Sequence, residues 1–222
     1  MFFTEWLDIL LFKKKPADIA GTTLGEGLKH LAIASVIIGL LSGITAYLTM
    51  STIPGLALLG GIVGPILIVA YLIAMPILAV IGMLIGGAIL HLFCKIVGGQ
   101  GSYGNYVGVL SKISAAITGT AMAILSVIGL IAALAGLPTY LMVAAITGLL
   151  SFIASLWVLV LEVLATQAVQ KLSLGRAVVA VIVIPLVVGF VLAIIIGIAL
   201  FAAIMAMVGA GSGATGLASL FT

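Results

Sequence analysis

Three long stretches of this chain contain no Asp, Glu, Lys or Arg, and they constrain its fold more than any other feature. They cover the 65 residues between Lys29 and Lys95, the 49 residues between Lys112 and Glu162, and the 46 residues that follow Arg176. A helix needs about 20 apolar residues to cross about 30 Å of hydrocarbon. The first two stretches can each hold two such helices and the third can hold one, so the sequence predicts five transmembrane helices.

The composition agrees with this prediction and excludes the soluble classes of protein. Only 6% of the 222 residues are Asp, Glu, Lys or Arg, against roughly 25% in ordinary globular domains. Such a chain cannot cover a soluble domain with polar side chains, which excludes a cytosolic enzyme, a disordered protein and a nucleic-acid-binding protein. The single cysteine, Cys94, excludes an intrachain disulfide.

Glycine and proline residues divide the long stretches into segments of span length. The predicted spans are about 31–50, 66–93, 113–135, 140–164 and 177–205. The predicted fold class is therefore all-α, a polytopic membrane helix bundle. It has three parts: a cytoplasmic amphipathic segment at residues 1–30, a five-helix transmembrane domain at residues 31–208, and a flexible Gly/Ser-rich outer tail at residues 209–222.

The basic residues predict how the chain is oriented in the membrane. With five spans, all eight fall on one side: Lys13, Lys14, Lys15, Lys29, Lys95, Lys112, Lys171 and Arg176. Because cytoplasmic loops are enriched in Lys and Arg, we expect a multi-pass protein of the cell membrane with its N-terminus in the cytoplasm and its C-terminus outside. The alternative of six spans would place Lys95 and Lys112 outside.

The N-terminal residues have the pattern of an amphipathic helix. Its apolar side consists of Phe2, Phe3, Trp6, Ile9, Leu10 and Phe12. Glu5 and Asp8 are expected to face outward, away from the protein, and the basic run Lys13–Lys15 follows. Aromatic side chains next to a basic cluster favour an anionic membrane surface, so we expect an interfacial helix on the inner leaflet. The alternative is a frayed tail that touches the membrane only through Trp6.

Glu162 is the one acidic residue within a predicted span. An ionisable group inside a span is a candidate for a proton relay or an ion ligand. Glu162 lies near the cytoplasmic end of its span, where burial costs less. The interpretation that we favour is therefore that it snorkels to the surface or pairs with Lys112, Lys171 or Arg176.

The sequence offers little for metal, nucleotide or catalytic chemistry. His30, His91 and Cys94 lie at a similar predicted depth and could form a three-ligand site, but no second Cys/His pair or acidic pair supports it. Residues 98–102, Gly-Gly-Gln-Gly-Ser, lack the Gly-Lys-Ser/Thr end of a phosphate-binding loop and are interpreted as a turn. The spans contain no nucleophile–base pair, so we expect no enzyme, no cofactor and no metal.

Small residues recur at a four-residue spacing in several spans. Such narrow faces allow helix backbones to approach closely in lipid, either within the bundle or between chains, and the sequence does not decide between the two. The faces are Gly39/Gly43, Gly82/Gly86, Ala115/Gly119/Ala123 and Gly189/Ala193/Gly197.

Two stretches carry a recognisable pattern. The first runs from His91 to Tyr103 and continues into Ser111–Ser114; the second runs from Trp157 to Leu161 and then from Leu172 to Pro185. Together they resemble the Yip family (Ypt-interacting proteins) in its short prokaryotic form, from about Thr23 to about Leu200. The positions that match its loop and helix-entry motifs are Gly98, Gly99, Gly101, Ser102, Trp157, Ser173, Gly175, Ala177 and Pro185.

The resemblance implies five spans, a cytoplasmic N-terminus and association with protein partners or with further copies. Eukaryotic members are linked to Rab-type GTPases, vesicle trafficking and membrane shaping. This chain has only about 30 residues before its first predicted span and lacks their Asp-Leu-Tyr-Gly-Pro motif, which weighs against GTPase binding. The function expected is a non-enzymatic, membrane-organising or partner-binding role. The alternatives are a small transporter or channel that uses Glu162, and an accessory subunit of a larger membrane complex.

Overall fold

The computed structural model describes the backbone of residues 2–52, 55 and 57–218, and the side chains of residues 2–51, 55 and 61–206. Nearly all of this part of the chain is helical. The helices are α1 (Phe2–Leu10), α2 (Leu24–Thr52), α3 (Ala57–Ile96), α4 (Tyr103–Leu134), α5 (Leu137–Gln170), α6 (Leu174–Val178) and α7 (Ile184–Ala218). A single 3-10 turn, Pro16–Ile19, separates α1 from α2.

The prediction of five spans is confirmed within the described part of the chain. The helices long and apolar enough to cross a membrane are Leu24–Ser51, Gly61–Ile96, Tyr103–Leu134, Leu137–Gln170 and Leu174–Ala206. Each contains its predicted segment to within a residue, and most continue well beyond it at the ends. The fold class is therefore an all-α bundle of membrane-spanning helices.

The last helix is longer than the sequence pattern suggests. Residues 209–222 were predicted to be a flexible tail, but the backbone of α7 remains helical as far as Ala218. Residues 219–222, the end of that tail, lie outside the described residues.

The chain divides into two compact units between Val181 and Ile182. The first contains α1 to α6, and within it small residues bring helix backbones into contact. A Cβ at Gly39 of α2 would lie 2.6 Å from the carbonyl oxygen of Tyr71 in α3. A Cβ at Gly27 would collide with the carbonyl oxygen of Gly108 in α4. These glycines therefore serve the close packing of helices that lipid favours. The second unit contains α7, which is apolar along its length.

The helical backbone widens into a π-helical turn at two places, one between α6 and α7 and the other within α4. One covers Val179–Val183, and Pro185 follows it. Proline lacks the N–H of the helical ladder and its ring crowds the carbonyl four residues earlier, so a wider turn at this point relieves the crowding. The other covers Thr118–Met122 within α4 and lies against α1.

Within the first unit, the ends of the helices that carry basic residues lie together. The backbone N–H of Gln100, after α3, donates to the carbonyl oxygen of Gln170 at the end of α5 (2.9 Å). Lys112 near the start of α4 pairs with Glu26 near the start of α2. We call residues 1–30, 94–112 and 165–176 the basic end. Most of the site residues described next lie in the basic end or contact it.

Candidate functional site

Helix α1 packs against the bundle instead of lying free on the membrane surface. Trp6 and Ile9 from its apolar side are each only 1% exposed. The indole Nε1 of Trp6 donates to Nδ1 of His30 (3.0 Å). The indole ring lies where a Cβ at Gly119 would be, so the glycine in the π-helical turn of α4 makes room for it. The amphipathic helix predicted from the sequence is present, and protein covers its two most buried side chains.

A buried lysine holds three elements together beside Trp6. Nζ of Lys112 lies 2.9 Å from Oε1 of Glu5 and 2.6 Å from Oε1 of Glu26. The lysine side chain is 5% exposed, whereas the two carboxylate side chains are 24% and 47% exposed. The expectation that Glu5 faces away from the protein is therefore wrong: it points into the bundle because a buried ammonium group requires a compensating charge.

The charges around Glu5 favour its ionised form. Partial burial raises the pKa of this carboxyl, but hydrogen bonds and charge attraction from Lys112 and Lys14 outweigh that effect and hold the pKa below its usual value. Nε2 of His30 lies 3.9 Å from Oε2 of the same carboxylate. Glu5 is therefore the charged link through which α1 is attached to α4.

Trp157, one of the residues that the sequence analysis singled out, contacts the other end of α1. Its indole Nε1 donates to the carbonyl oxygen of Leu10 (3.1 Å), the last residue of α1. The ring of Phe12 lies against it at a centroid distance of 6.2 Å. The final carbonyls of a helix have no intrahelical donor. Trp157 therefore supplies the hydrogen bond that the carbonyl of Leu10 cannot receive within α1. Contacts with other helices therefore hold α1 at both of its ends. We call the residues that make these contacts the clasp: Glu5, Trp6, His30, Lys112 and Trp157.

The glycine loop after α3 has a specific backbone geometry. Gly98 has φ +93°, and its N–H donates to the carbonyl of Lys95 while the N–H of Gly99 donates to that of Cys94. This pair of bonds is the Schellman ending, in which a glycine adopts the left-handed conformation. Ser102 then begins α4, because its hydroxyl accepts from the N–H of Asn105 (3.4 Å).

The same loop is pressed onto the end of α5. A Cβ at Gly101 would collide with the carbonyl oxygen of Val169, and a Cβ at Gly99 would lie 3.0 Å from Oε1 of Gln170. Nζ of Lys95 donates to the carbonyl of Gly101 (3.1 Å). At Gly99 and Gly101, which the sequence analysis singled out, the loop therefore lies directly against α5. A side chain at either position would push the loop away from that helix.

A buried polar cluster lies beneath this loop, and the sequence analysis missed most of it. Gln170 is fully buried, and its Nε2 lies 2.9 Å from Nδ1 of His91. Tyr106 is also fully buried, and its hydroxyl lies 2.9 Å from Oγ1 of Thr166. Cys94 has no exposed surface. The signal that was available is the pair Thr166 and Gln170, which are four residues apart and therefore lie on one face of α5.

The ion pairs expected for Glu162 are not found. Among the residues that the structure describes, no ion pair joins it to Lys112, Lys171 or Arg176. It also does not line the cavity of about 440 Å³ that lies between α2, α3, α4 and α5. Nothing in the described side chains therefore assigns Glu162 to a pathway, and snorkelling remains the interpretation that its partial exposure supports.

His30, His91 and Cys94 have separate surroundings. His30 contacts Trp6, whereas His91 contacts Gln170 and the ring of Tyr103. In the described part of the chain, no group of three His, Cys, Asp or Glu residues is placed to hold a metal ion.

The motif residues at the start of the fifth span are not part of the clasp. Ser173 stands at the N-cap of α6 without a side-chain capping bond, and its backbone carbonyl accepts from Ala177. Ala177 is fully buried, whereas Gly175 is exposed. Pro185 lies in the second unit, at the second residue of α7. Their common role is to begin a helix and to shape its first turns.

The arrangement as a whole fastens elements together and presents no reacting group to solvent. Its polar side chains are paired with one another, apart from the buried Oε1 of Gln170, which has no hydrogen-bond partner among the described residues. The thiol of Cys94 and the side chain of Tyr106 are fully buried. The result is a basic end in which α1 and the glycine loop both contact the ends of the spans.

Comparison with known proteins identifies the family. The family model described as the Yip1 domain matches residues 16–196, which include the glycine loop, Trp157 and the start of the fifth span. No curated protein and no solved structure matches the chain. Since the match covers most of the 222 residues, the chain belongs to the Yip family and is a multi-pass membrane protein of that family.

Proposed function

We propose that this protein is a non-enzymatic membrane scaffold that associates with further copies of itself. Its basic end lies at the cytoplasmic surface of the cell membrane, where it binds protein partners. The observation that carries the proposal is an unfilled small-residue face on α3. Within the first unit, a Cβ built at Gly82 or Gly86 meets no atom within 4 Å. The adjacent Gly87 is different, because a Cβ there would lie 2.7 Å from the Val107 side chain.

The other small-residue faces of the first unit help to explain why this one is available. Gly39 and Gly43 are filled by α3, and Gly119 is filled by Trp6. Those faces serve packing within the chain. A glycine that faces lipid loses conformational entropy on folding without gaining a contact, so the Gly82/Gly86 face supports a contact with another helix, here that of a second copy.

The basic end suits an anionic inner leaflet. A groove of about 530 Å³ is lined by residues that include Phe12, Lys15 and Lys171. Both lysines are exposed, and each basic side chain near an anionic surface adds about 1 kcal/mol of attraction. This placement supports a cytoplasmic N-terminus. Transport through Glu162 and a role as an accessory subunit gain no comparable support.

The test of self-association uses two differently tagged copies of the full chain in one membrane. Gly82→Leu combined with Gly86→Leu fills the face, and co-isolation after gentle detergent extraction is expected to fall to background. Ile85→Leu is the matched control, because Ile85 is 60% exposed on the same helix and keeps its volume. If the wild-type chain is recovered only as a monomer, or if the glycine variant associates as well as the control, the proposal fails.

A further inference from the structure

We propose that the cavity between α2, α3, α4 and α5 binds the uncharged headgroup of a bilayer lipid of the diacylglycerol type. The cavity has a volume of about 440 Å³ and lies wholly within the first unit. This is within the range of roughly 300–1,000 Å³ that small-molecule sites occupy. None of the clasp residues around Lys112 lines it, so the proposed site is separate from the one described above.

Hydroxyl groups from all four helices converge on this cavity. Ser42 comes from α2, Tyr71 from α3, Ser126 from α4, and Tyr140 and Ser151 from α5. The spans are predominantly apolar, and most of their charged residues lie at the basic end. Polar groups in a membrane span are costly unless they have partners, so their collection around one open volume points to a ligand that is itself polar.

The hydroxyls differ in whether they already have a partner. Thr45 and Thr147, which also line the cavity, donate to carbonyls of their own helices at 2.9 and 3.0 Å. The hydroxyls of Tyr71, Ser126 and Tyr140 make no hydrogen bond to any residue that the structure describes, and all three residues line the cavity. Each can donate to the carbonyl oxygen of an ester and accept from an alcohol.

The lining selects against a charged ligand. In the described chain, no Asp, Glu, Lys, Arg or His borders the cavity. An ion moved from water into this low-dielectric region would have no opposite charge to offset its desolvation. A headgroup with two ester carbonyls and one alcohol, and no phosphate, matches the donors and acceptors that are present.

The depth of the cavity also suits a lipid headgroup. Tyr140 lies near the start of α5, at the end opposite the basic end, and Ser151 lies about 16 Å further along the helix at 1.5 Å per residue. The lining therefore runs from the interface, where Tyr is favoured and lipid esters lie, toward the middle of the bilayer. The acyl chains of the same lipid would remain in the hydrocarbon.

The experiment uses the full chain in phosphatidylcholine vesicles with a photoactivatable diacylglycerol. Saturable labelling within residues 122–151 is expected, with competition by unlabelled diacylglycerol and not by phosphatidylglycerol. Gly148→Leu fills the cavity at a position where a Cβ meets nothing within 4 Å, so the fold is retained and labelling is lost. Tyr140→Phe with Ser126→Ala removes two donors, and saturation should need at least about fivefold more probe, the loss expected for one hydrogen bond.

Two control variants make the outcome decisive. Ser155→Ala removes a hydroxyl one turn from Ser151 that bonds to its own helix. Gly61→Leu adds the same side chain outside the cavity, at a position where a Cβ meets nothing within 4 Å. Both variants should label as the wild type does. Circular dichroism and gel filtration report that each variant is folded. Equal labelling of Gly148→Leu, equal competition by phosphatidylglycerol, or no saturable labelling because the cavity holds water alone would each overturn the proposal.

Discussion

At the scale of single residues, the burial of Lys112 determines which substitutions should harm the protein most. The ammonium is the buried partner, and the two carboxylates that face it are partly exposed. Glu5→Gln combined with Glu26→Gln leaves an uncompensated buried charge, at a cost of about 3–5 kcal/mol. Lys112→Met removes that charge and leaves carboxylates that water can reach, so it should destabilise the protein less than the double variant does.

Unfolding of purified protein in mixed micelles, followed by circular dichroism, measures this order. Lys171→Met is the matched control, because Lys171 is exposed and pairs at the surface are worth about 0–1 kcal/mol. A double variant that is as stable as the wild type would mean that Lys112 does not need these two partners.

The glycine loop leads to a second prediction at this scale. Gly101→Ala places a methyl group against the backbone carbonyl of Val169, which cannot rotate away, and the expected destabilisation is about 1–3 kcal/mol. Gly104→Ala, two residues into α4, meets only the Cβ of Leu24 at 3.9 Å. It should be neutral or stabilising by up to about 1 kcal/mol, since alanine favours a helix. Thermal unfolding of both variants checks the contrast, and equal midpoints would contradict the close contact.

At the scale of elements, helix α1 shows what the sequence can and cannot predict. Its amphipathic pattern identifies the helix and its apolar side, because a repeat near 3.6 residues is a local property. The pattern does not say whether lipid or protein covers that side. Here the answer depends on Gly119, whose missing side chain makes room for Trp6, and on the ion pair between Lys112 and Glu5. Contacts between residues so far apart leave no trace in local periodicity.

The attachment of α1 is expected to depend on pH through Glu5. Its pKa lies below the usual value in the folded protein, so its contribution is complete above the ordinary Glu pKa of about 4.3 and is lost as the pH falls through the lowered value. Protonation removes the attraction to Lys112 and Lys14. Emission of Trp6, measured in a Trp157→Phe background, should shift to longer wavelength in that range as α1 detaches.

A companion variant isolates the group responsible. Glu5→Gln cannot titrate, so its Trp6 emission should lack the transition in that acidic range. His30 also faces Glu5 and accepts from Trp6, and it is unchanged in this variant. A transition that is the same in the Glu5→Gln variant would assign it to another group.

At the scale of the whole molecule, the five spans could be predicted because lipid imposes length and hydropathy on each segment separately. The buried cluster of Gln170, His91, Tyr106 and Thr166 could not be predicted, because the two partners of each hydrogen bond lie on different helices. Whether they meet depends on the order in which the spans pack around one another. The glycine loop indicates the position of that cluster only indirectly: Gly99 and Gly101 lack the side chains that would keep the loop away from Gln170.

The orientation of the bundle is the remaining whole-molecule prediction, and it follows from the eight basic residues at the basic end. The native thiol of Cys94 has no exposed surface, so single cysteines can be added to the wild-type chain. Ala135→Cys lies between α4 and α5 at the end opposite the basic end, and Ser173→Cys lies at the basic end; both positions are exposed. A membrane-impermeant maleimide should label Ala135→Cys in intact cells and Ser173→Cys only after permeabilisation. The reverse result would mean that the protein has the opposite orientation in the membrane. Labelling of both positions from outside would contradict a bundle in which α5, the fourth span, crosses the bilayer between them.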